Sequence, residues 1–413
     1  MSHYPEGKPL QDFIAARRRR GRVSLLVFQS ATLISILVLG ALLFNIINQS
    51  FGYAAVSYRI TPATLVEPGM ALEELPEDAL IAILQQHVST GVLRRLESEK
   101  PLATRSQQEL YALVVERVLD PTTQKTWTLY DTLFNRKAIL AERDASYPDA
   151  YLEFRSWLNP RFLTSPQSNK PDLAGVRPAI LGSLMTILIT IAFAFPVGIS
   201  AAIYLEEYAE ENFFNRAIQT NIANLSGVPS IIYGLLGLAI FVRVLNPLTS
   251  GAAFGLADPA TANGRTILSA GLTLGLLILP LIIINAQEAI RAVPSSIRQA
   301  SYGIGATQWQ TIWHHVLPQA MPGILTGTIL AVSRAIGETA PLVVVGASTF
   351  VALDPSGPFS RFTALPMQIY QWTARPQDVY RNLAAAAILT LLLMLLSLNA
   401  TAILLRNRYR RRI

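Results

Sequence analysis

Long apolar runs alternate with polar stretches along this chain. Six runs, at roughly 23–47, 179–203, 217–243, 266–285, 323–350 and 382–405, are each long enough to span a bilayer, because about 20 helical residues cross about 30 Å of hydrocarbon. The first two are separated by a polar block, residues 48–178. Within it, EELPEDALIAILQQHVSTGVLRRLESE places Leu84, Val88 and Leu96 at helical spacing with charges between. SQQELYALVVERVLDP reads as a second amphipathic helix ended by Pro121, and YDTLFNRKAILAERDASYPDAYLEF as a third. The pattern predicts an all-α membrane protein of six transmembrane helices carrying one mainly helical inserted domain.

Charge supports this division. Of 413 residues, 51% are hydrophobic and 15% charged, against about a quarter charged in soluble domains. Of the 27 acids, 16 fall between Glu67 and Asp172. The net charge of +7 does not point to nucleic acid: arginines gather at RRRRGR (17–22) and RNRYRRRI (406–413), each beside an apolar run. Such clusters mark cytoplasmic flanks and meet acidic lipid headgroups. The first run has a basic leader but is too long for a signal-peptide core, so it reads as an uncleaved anchor. Six crossings then leave both termini, 1–22 and 406–413, in the cytoplasm. This orientation puts 48–178, 244–265 and 351–381 outside. It puts the acidic YLEEYAEENFFNR (204–216) and the loop 286–322 inside, within a five-helix core at 179–405.

The templates of common chemistry are missing. There is no cysteine, no GxxxxGK[ST] phosphate loop, no HExxH and no GxSxG elbow. His314 and His315 are adjacent and cannot share one helix face. No catalytic residue, metal set or cofactor is expected on this chain.

Two stretches stand out. The loop EAIRAVPSSIRQASYGIGATQWQTIWHHVLP (288–318) is rich in apolar residues, with breakers at Pro294, Gly303 and Gly305. Short helices of this kind suit docking on a partner, or a loop folded back on its own membrane ends. The second stretch, AVSRAIGETAPLVVVG (331–346), puts Arg334 and Glu338 inside an apolar run. A mid-membrane charge costs at least about 2.5–3.5 kcal/mol and normally faces a bundle interior or a watery path. Pro341 has no N–H, so the Gly337 carbonyl loses its helical partner, and Gly337 leaves room beside the charges. A guanidinium is a fork of donors suited to phosphate-type oxygens. A substrate path and a packing ion pair both remain open from the residues alone.

The loop resembles the coupling loop of ABC-importer membrane subunits. Gln299, Ala300 and Ser301, then Gly305, then Leu317 and Pro318 stand at the family spacing, with Gln299 in place of Glu and His315 in place of Ile, and Gly303 joins them among the implied coupling residues. A Gln keeps hydrogen bonding but loses a charge, so docking should depend less on salt. SRAIGETAPL resembles the signature of the permeases of phosphate ABC importers, of the PstA type. So do GSLMTILITIAFAFPVGISAAIYLEEYA (182–209), NLSGVPSIIYGLLGL (224–238) with its Gly227–Pro229 break, and LTLGLLILPLIIINAQEAIRAVPSSIRQASYGIGAT (272–307).

The resemblance covers about 180–405 and implies the type I importer permease fold in a bacterial inner membrane. It also implies phosphate as cargo and a path at Arg334, Glu338 and Thr339, with breaks at Gly337, Pro341, Gly227 and Pro229. The implied partners are a homologous second permease, a cytoplasmic ATPase dimer that binds the ATP and Mg, and an extracytoplasmic phosphate-binding protein. The 48–178 block resembles the insert of longer members, whose task the resemblance does not imply. Sulfate, molybdate or phosphite stand as alternative cargo. A membrane sensor using 48–178 is the reading from another class, although only eight residues follow the last run.

Overall fold

The computed structural model describes residues 8–66, 72–256, 263–348, 350–351 and 353–410. The outermost parts of the two arginine-flanked ends, 1–7 and 411–413, lie outside them. Helix α1 (Lys8–Ser50) runs directly into strand β1 (Phe51–Ser57). The core then follows as α2 (Arg177–Tyr208), α3 (Phe213–Ser226), α4 (Ser230–Val244) and α5 (Ile267–Arg291). After these come α6 (Ser295–Gly303), α7 (Gln308–Gly337), α8 (Ala340–Val345), α9 (Leu365–Thr373) and α10 (Asp378–Arg410). Five of these are long and apolar enough to cross a membrane, and α3 with α4 makes a sixth if the bent pair counts as one span.

Two of the six runs are not simple rods. The run at 217–243 bends by 109° between α3 and α4, where Gly227 ends one helix and Pro229 starts the next. A residue before proline is pushed out of helical geometry, so the bend belongs at this place. The run at 323–350 stops at Gly337 and resumes only as the short α8. At its other end α7 reaches back to Gln308, so much of the expected 286–322 loop is helix.

Small residues let α2 and α5 approach closely, which is how helices pack where lipid removes the hydrophobic drive. A Cβ on Gly271 would strike Ile189, and one on Gly275 would strike Phe193. The Thr190 hydroxyl crosses the same interface to the Gly271 carbonyl at 3.0 Å. Around it, Ile187, Leu274, Ile278, Ile282, Ala331 and Ala335 form the core.

The inserted block contains a feature absent from the helical reading. β1 is the centre of a three-stranded antiparallel sheet, with β2 (Thr122–Thr126) on one side and β3 (Tyr151–Ser156) on the other. Tyr53 pairs with Phe154 and Ala54 with Thr126. The expected third helix is two short ones, Leu129–Phe134 and Arg136–Ser146, and its YLEF end is β3. These residues carry apolar positions at a period that suits either state over so short a run. The second amphipathic helix is present, with a Ser106–Glu109 capping box. It ends at Leu119, before Asp120 in left-handed geometry and Pro121.

The sheet does not stand apart from the membrane helices. Ala54, Val56, Trp157 and Phe162 share one core with Trp372 of α9 and Val379, Tyr380 and Leu383 of α10. Asn382 donates to the Gln49 carbonyl at 2.6 Å and accepts from the Thr126 hydroxyl at 3.0 Å, joining α10, α1 and β2.

Candidate functional site

Arg334 lies in the last turn of α7. A cation there is favoured by the unpaired carbonyls of the helix end. The helix stops at Gly337, and Glu338 follows in extended geometry. The pair therefore does not share a continuous helix face, yet Arg334 Nε and Glu338 Oε1 stand 3.5 Å apart. The Arg334 side chain is 48% exposed and that of Glu338 20%. At 3.5 Å this is not a close fork-to-carboxylate pairing, and about half of the Arg334 side chain stays open to solvent. A Cβ at Gly337 would meet nothing within 4 Å. Thr339 is half-buried and opens α8, and Pro341 falls in its first turn, where a missing N–H costs nothing.

The two helix breaks are brought together. A Cβ on Gly234 of α4 would meet Pro341 Cα at 2.8 Å and Val344 Cβ at 3.0 Å. The Tyr233 hydroxyl donates back across the Gly227–Pro229 bend to the Leu225 carbonyl at 2.7 Å. Chain reversal near Gly227 and Pro229 thus presses α4 against α8, immediately beyond Arg334 and Glu338.

The second group is at α6. Gln299, Ala300, Gly303 and Gly305 are exposed, whereas Ser301 and Leu317 are buried and Pro318 is half-buried. Gly305 sits at φ +84, a left-handed position that favours glycine. It turns the chain from α6 into α7, whose start is held by a Thr307–Gln310 capping box. Ser301 Oγ and Thr311 Oγ1 stand 2.8 Å apart and pin the two helices. Ile304 is 83% exposed, beside Tyr302 and a stacked Trp309–Trp313 pair 5.4 Å between centroids. The loop both folds back and presents apolar residues: Ile290, Val293, Val316 and Leu317 fold back into a core with Ile199, Leu205 and Ile283 of the membrane helices, while Tyr302, Ile304, Trp309 and Trp313 stay exposed.

Four further residues were not singled out from the sequence. Arg298 of α6 grips Glu207 at 2.6 Å and donates to the Ile290 and Val293 carbonyls at the end of α5. The Glu207 side chain is only 7% exposed. Arg291 pairs with Glu206 through two hydrogen bonds of 2.8 and 2.9 Å. The signal was the acidic YLEEYAEE beside a loop bearing arginines, but no spacing rule joins residues 91 positions apart.

The inserted block holds a cavity of about 410 Å³ lined by Tyr58, Tyr111, Glu73, Glu153, Arg155 and Asp172, among others. Burial and the hydrogen bond to Glu73 push the Tyr111 hydroxyl up to about 12. Burial and Glu153 push Tyr58 well above its ordinary value.

A family model described as the binding-protein-dependent transport system inner membrane component matches residues 194–413. The phosphate transport system permease protein PstA 1 of Mycobacterium tuberculosis is 33% identical over 56% of this chain and 70% of its own length. The phosphate transport system permease protein PstA of Xylella fastidiosa is 32% identical over 60% of this chain and 79% of its own. A solved inward-facing MetNI methionine ABC transporter is 19% identical, with a TM-score of 0.41, over 57% of this chain and 95% of that chain.

Proposed function

The chain belongs to the family of inner-membrane components of binding-protein-dependent transport systems, and from that premise we propose that it is the permease subunit of an ATP-driven importer of inorganic phosphate. The observation that carries the reading is the Arg334–Glu338 pair, set between two broken helices with about half of the Arg334 side chain open to solvent. Relatives at 32–33% identity bear the phosphate permease name. The chain is multi-pass. We infer that both termini are cytoplasmic and that the 48–178 insert lies outside.

In this reading the chain has no ATPase site of its own, and a cytoplasmic ATPase dimer supplies the energy. The dimer grips α6 and the start of α7 through Gln299, Ala300 and the exposed Tyr302, Ile304, Trp309 and Trp313. Movement of α6 reaches α2 and α5 through Arg298 and Glu207, and reaches α7 through Ser301 and Thr311. At the far end of α7, Arg334 meets the oxyanion while Glu338 competes for the same donors. Displacing a carboxylate 3.5 Å away lets the site hold an anion and then release it. A homologous second permease completes the path, and an extracytoplasmic phosphate-binding protein supplies it.

The test is labelled phosphate uptake in cells lacking their own importer, supplied with this chain and its neighbouring genes. ATP-dependent uptake is expected for the native chain, and its loss in Arg334→Ala with the complex still assembled. Uptake surviving in Arg334→Ala makes the pair structural. Sulfate or molybdate uptake in place of phosphate changes the cargo.

A further inference from the structure

Beyond α8 the chain carries a second basic site. Gly346 follows α8 at φ +108, and the Arg265 side chain lies across it: a Cβ there would meet Arg265 Cδ at 2.5 Å and Nε at 3.0 Å. A glycine in left-handed geometry is thus the seat of this arginine. Two residues on, the Ser348 hydroxyl accepts from Arg361 Nη2 at 3.2 Å, and its own proton is left to donate. The Ser348 N–H pairs with the Phe362 carbonyl at 2.8 Å, which fixes Arg361 beside it. Both arginines are exposed.

Neither is neutralised by another of the described residues. Among the described residues of these loops, Asp354 is taken by Arg177 at 3.0 Å and Asp378 by Arg381 at 3.5 Å. No carboxylate pairs with Arg265 or Arg361 among the described residues. Six residues of helix separate this site from the Glu338–Thr339 break, a rise of about 9 Å. The Debye length at physiological salt is about 8 Å. An anion between the two ends therefore feels both, and each loss of attraction to one is offset by gain from the other.

We propose that Arg265, Arg361 and the Ser348 hydroxyl form an outer holding site for a tetrahedral oxyanion, which takes the ion on arrival and hands it along α8 to Arg334. The inference rests on the transport reading above. Its chemistry is that of two guanidinium forks and one hydroxyl donor, which suits an ion bearing several oxygens. Without the site, an ion released at the mouth drifts back out before α7 moves, and ATP is hydrolysed with no ion carried.

The experiment uses the complete importer in proteoliposomes, with binding protein loaded with inorganic phosphate, and measures labelled uptake and ATP hydrolysis together. In Arg265→Gln/Arg361→Gln, phosphate moved per ATP should fall about three- to tenfold, the scale of two exposed ion pairs, with ATP hydrolysis near native. Arg265→Lys/Arg361→Lys should restore the ratio. An unchanged ratio in the Gln variant overturns the inference. So does uptake falling together with ATP hydrolysis, or a Lys variant as poor as the Gln one, since either means packing and not charge. Arg334→Ala is run beside them. If it kills uptake while the Gln variant is native, the outer site alone fails. If it transports normally, the path reading fails first.

Discussion

Arg334 shows how one residue can be fixed by sequence and placed by fold. Its charge in an apolar run already demanded a polar neighbour, and Glu338 met that demand. The break after Gly337 then set how firmly the two are joined. At 3.5 Å the pair neutralises without locking. Glu338→Gln should therefore keep the protein assembled but change release: uptake should slow while phosphate protects Arg334 from a guanidine-directed reagent more strongly than in the native chain. Equal protection in both would separate Glu338 from the anion. Tyr111 gives a second residue-level test. Its hydroxyl is raised to about 12, so the folded insert holds that proton where an unfolded chain, ionising near 10, has lost it. Its contribution is complete below about pH 10 and is lost as pH climbs towards 12. Alkaline difference absorption should show a tyrosine step near pH 12 that Tyr111→Phe removes, while the still later ionisation of Tyr58 remains.

At the scale of elements, the coupling segment is rigid because it is tied at three places. Arg298 holds the end of α5 and Glu207 of α2, and Ser301 holds α7. Removing one partner of a largely buried pair costs about 3–5 kcal/mol because the other charge is stranded. Arg298→Ala should leave ATPase binding intact and cut the uptake driven by each ATP. Unaltered coupling in purified complex would free α6 of this tie. Gly305→Trp acts differently. It forces a bulky residue into left-handed geometry on the exposed face, and co-purification of the ATPase should drop. Normal ATP-driven transport in that variant would remove the coupling role from this turn.

The whole molecule is joined by its insert. The sheet grows out of α1, and its core runs into α9 and α10 through Phe162, Trp372 and Leu383. Insertion of the spans follows from hydropathy, so a chain lacking 60–170 should still enter the membrane. It should be much less stable once there, because Trp372, Val379 and Tyr380 lose their cover. Phe162→Ala, a large-to-small change in that shared core, should cost about 3–5 kcal/mol. A lowered melting temperature of α10 in detergent, read by exchange of its amides, checks this. No change at α10 would make the insert an independent unit.

Hydropathy alone determined the number of apolar runs, the polar block between the first two and the presence of Arg334 and Glu338, because lipid rejects charge whatever the fold. Local chemistry also determined the stops: Pro229 and Gly227 for the bend, Pro121 for the helix before β2, and Gly305 for the turn into α7. The sheet was not legible, since a strand of five to seven residues draws its stability from partners distant in sequence, as β1 does from residues 122–126 and 151–156. Nor was the pairing of Glu207 with Arg298, the packing of Gly234 on Pro341, or the meeting of Arg265 with Gly346. These are contacts between residues brought together only when helices pack, and packing depends on the shape of every neighbour at once.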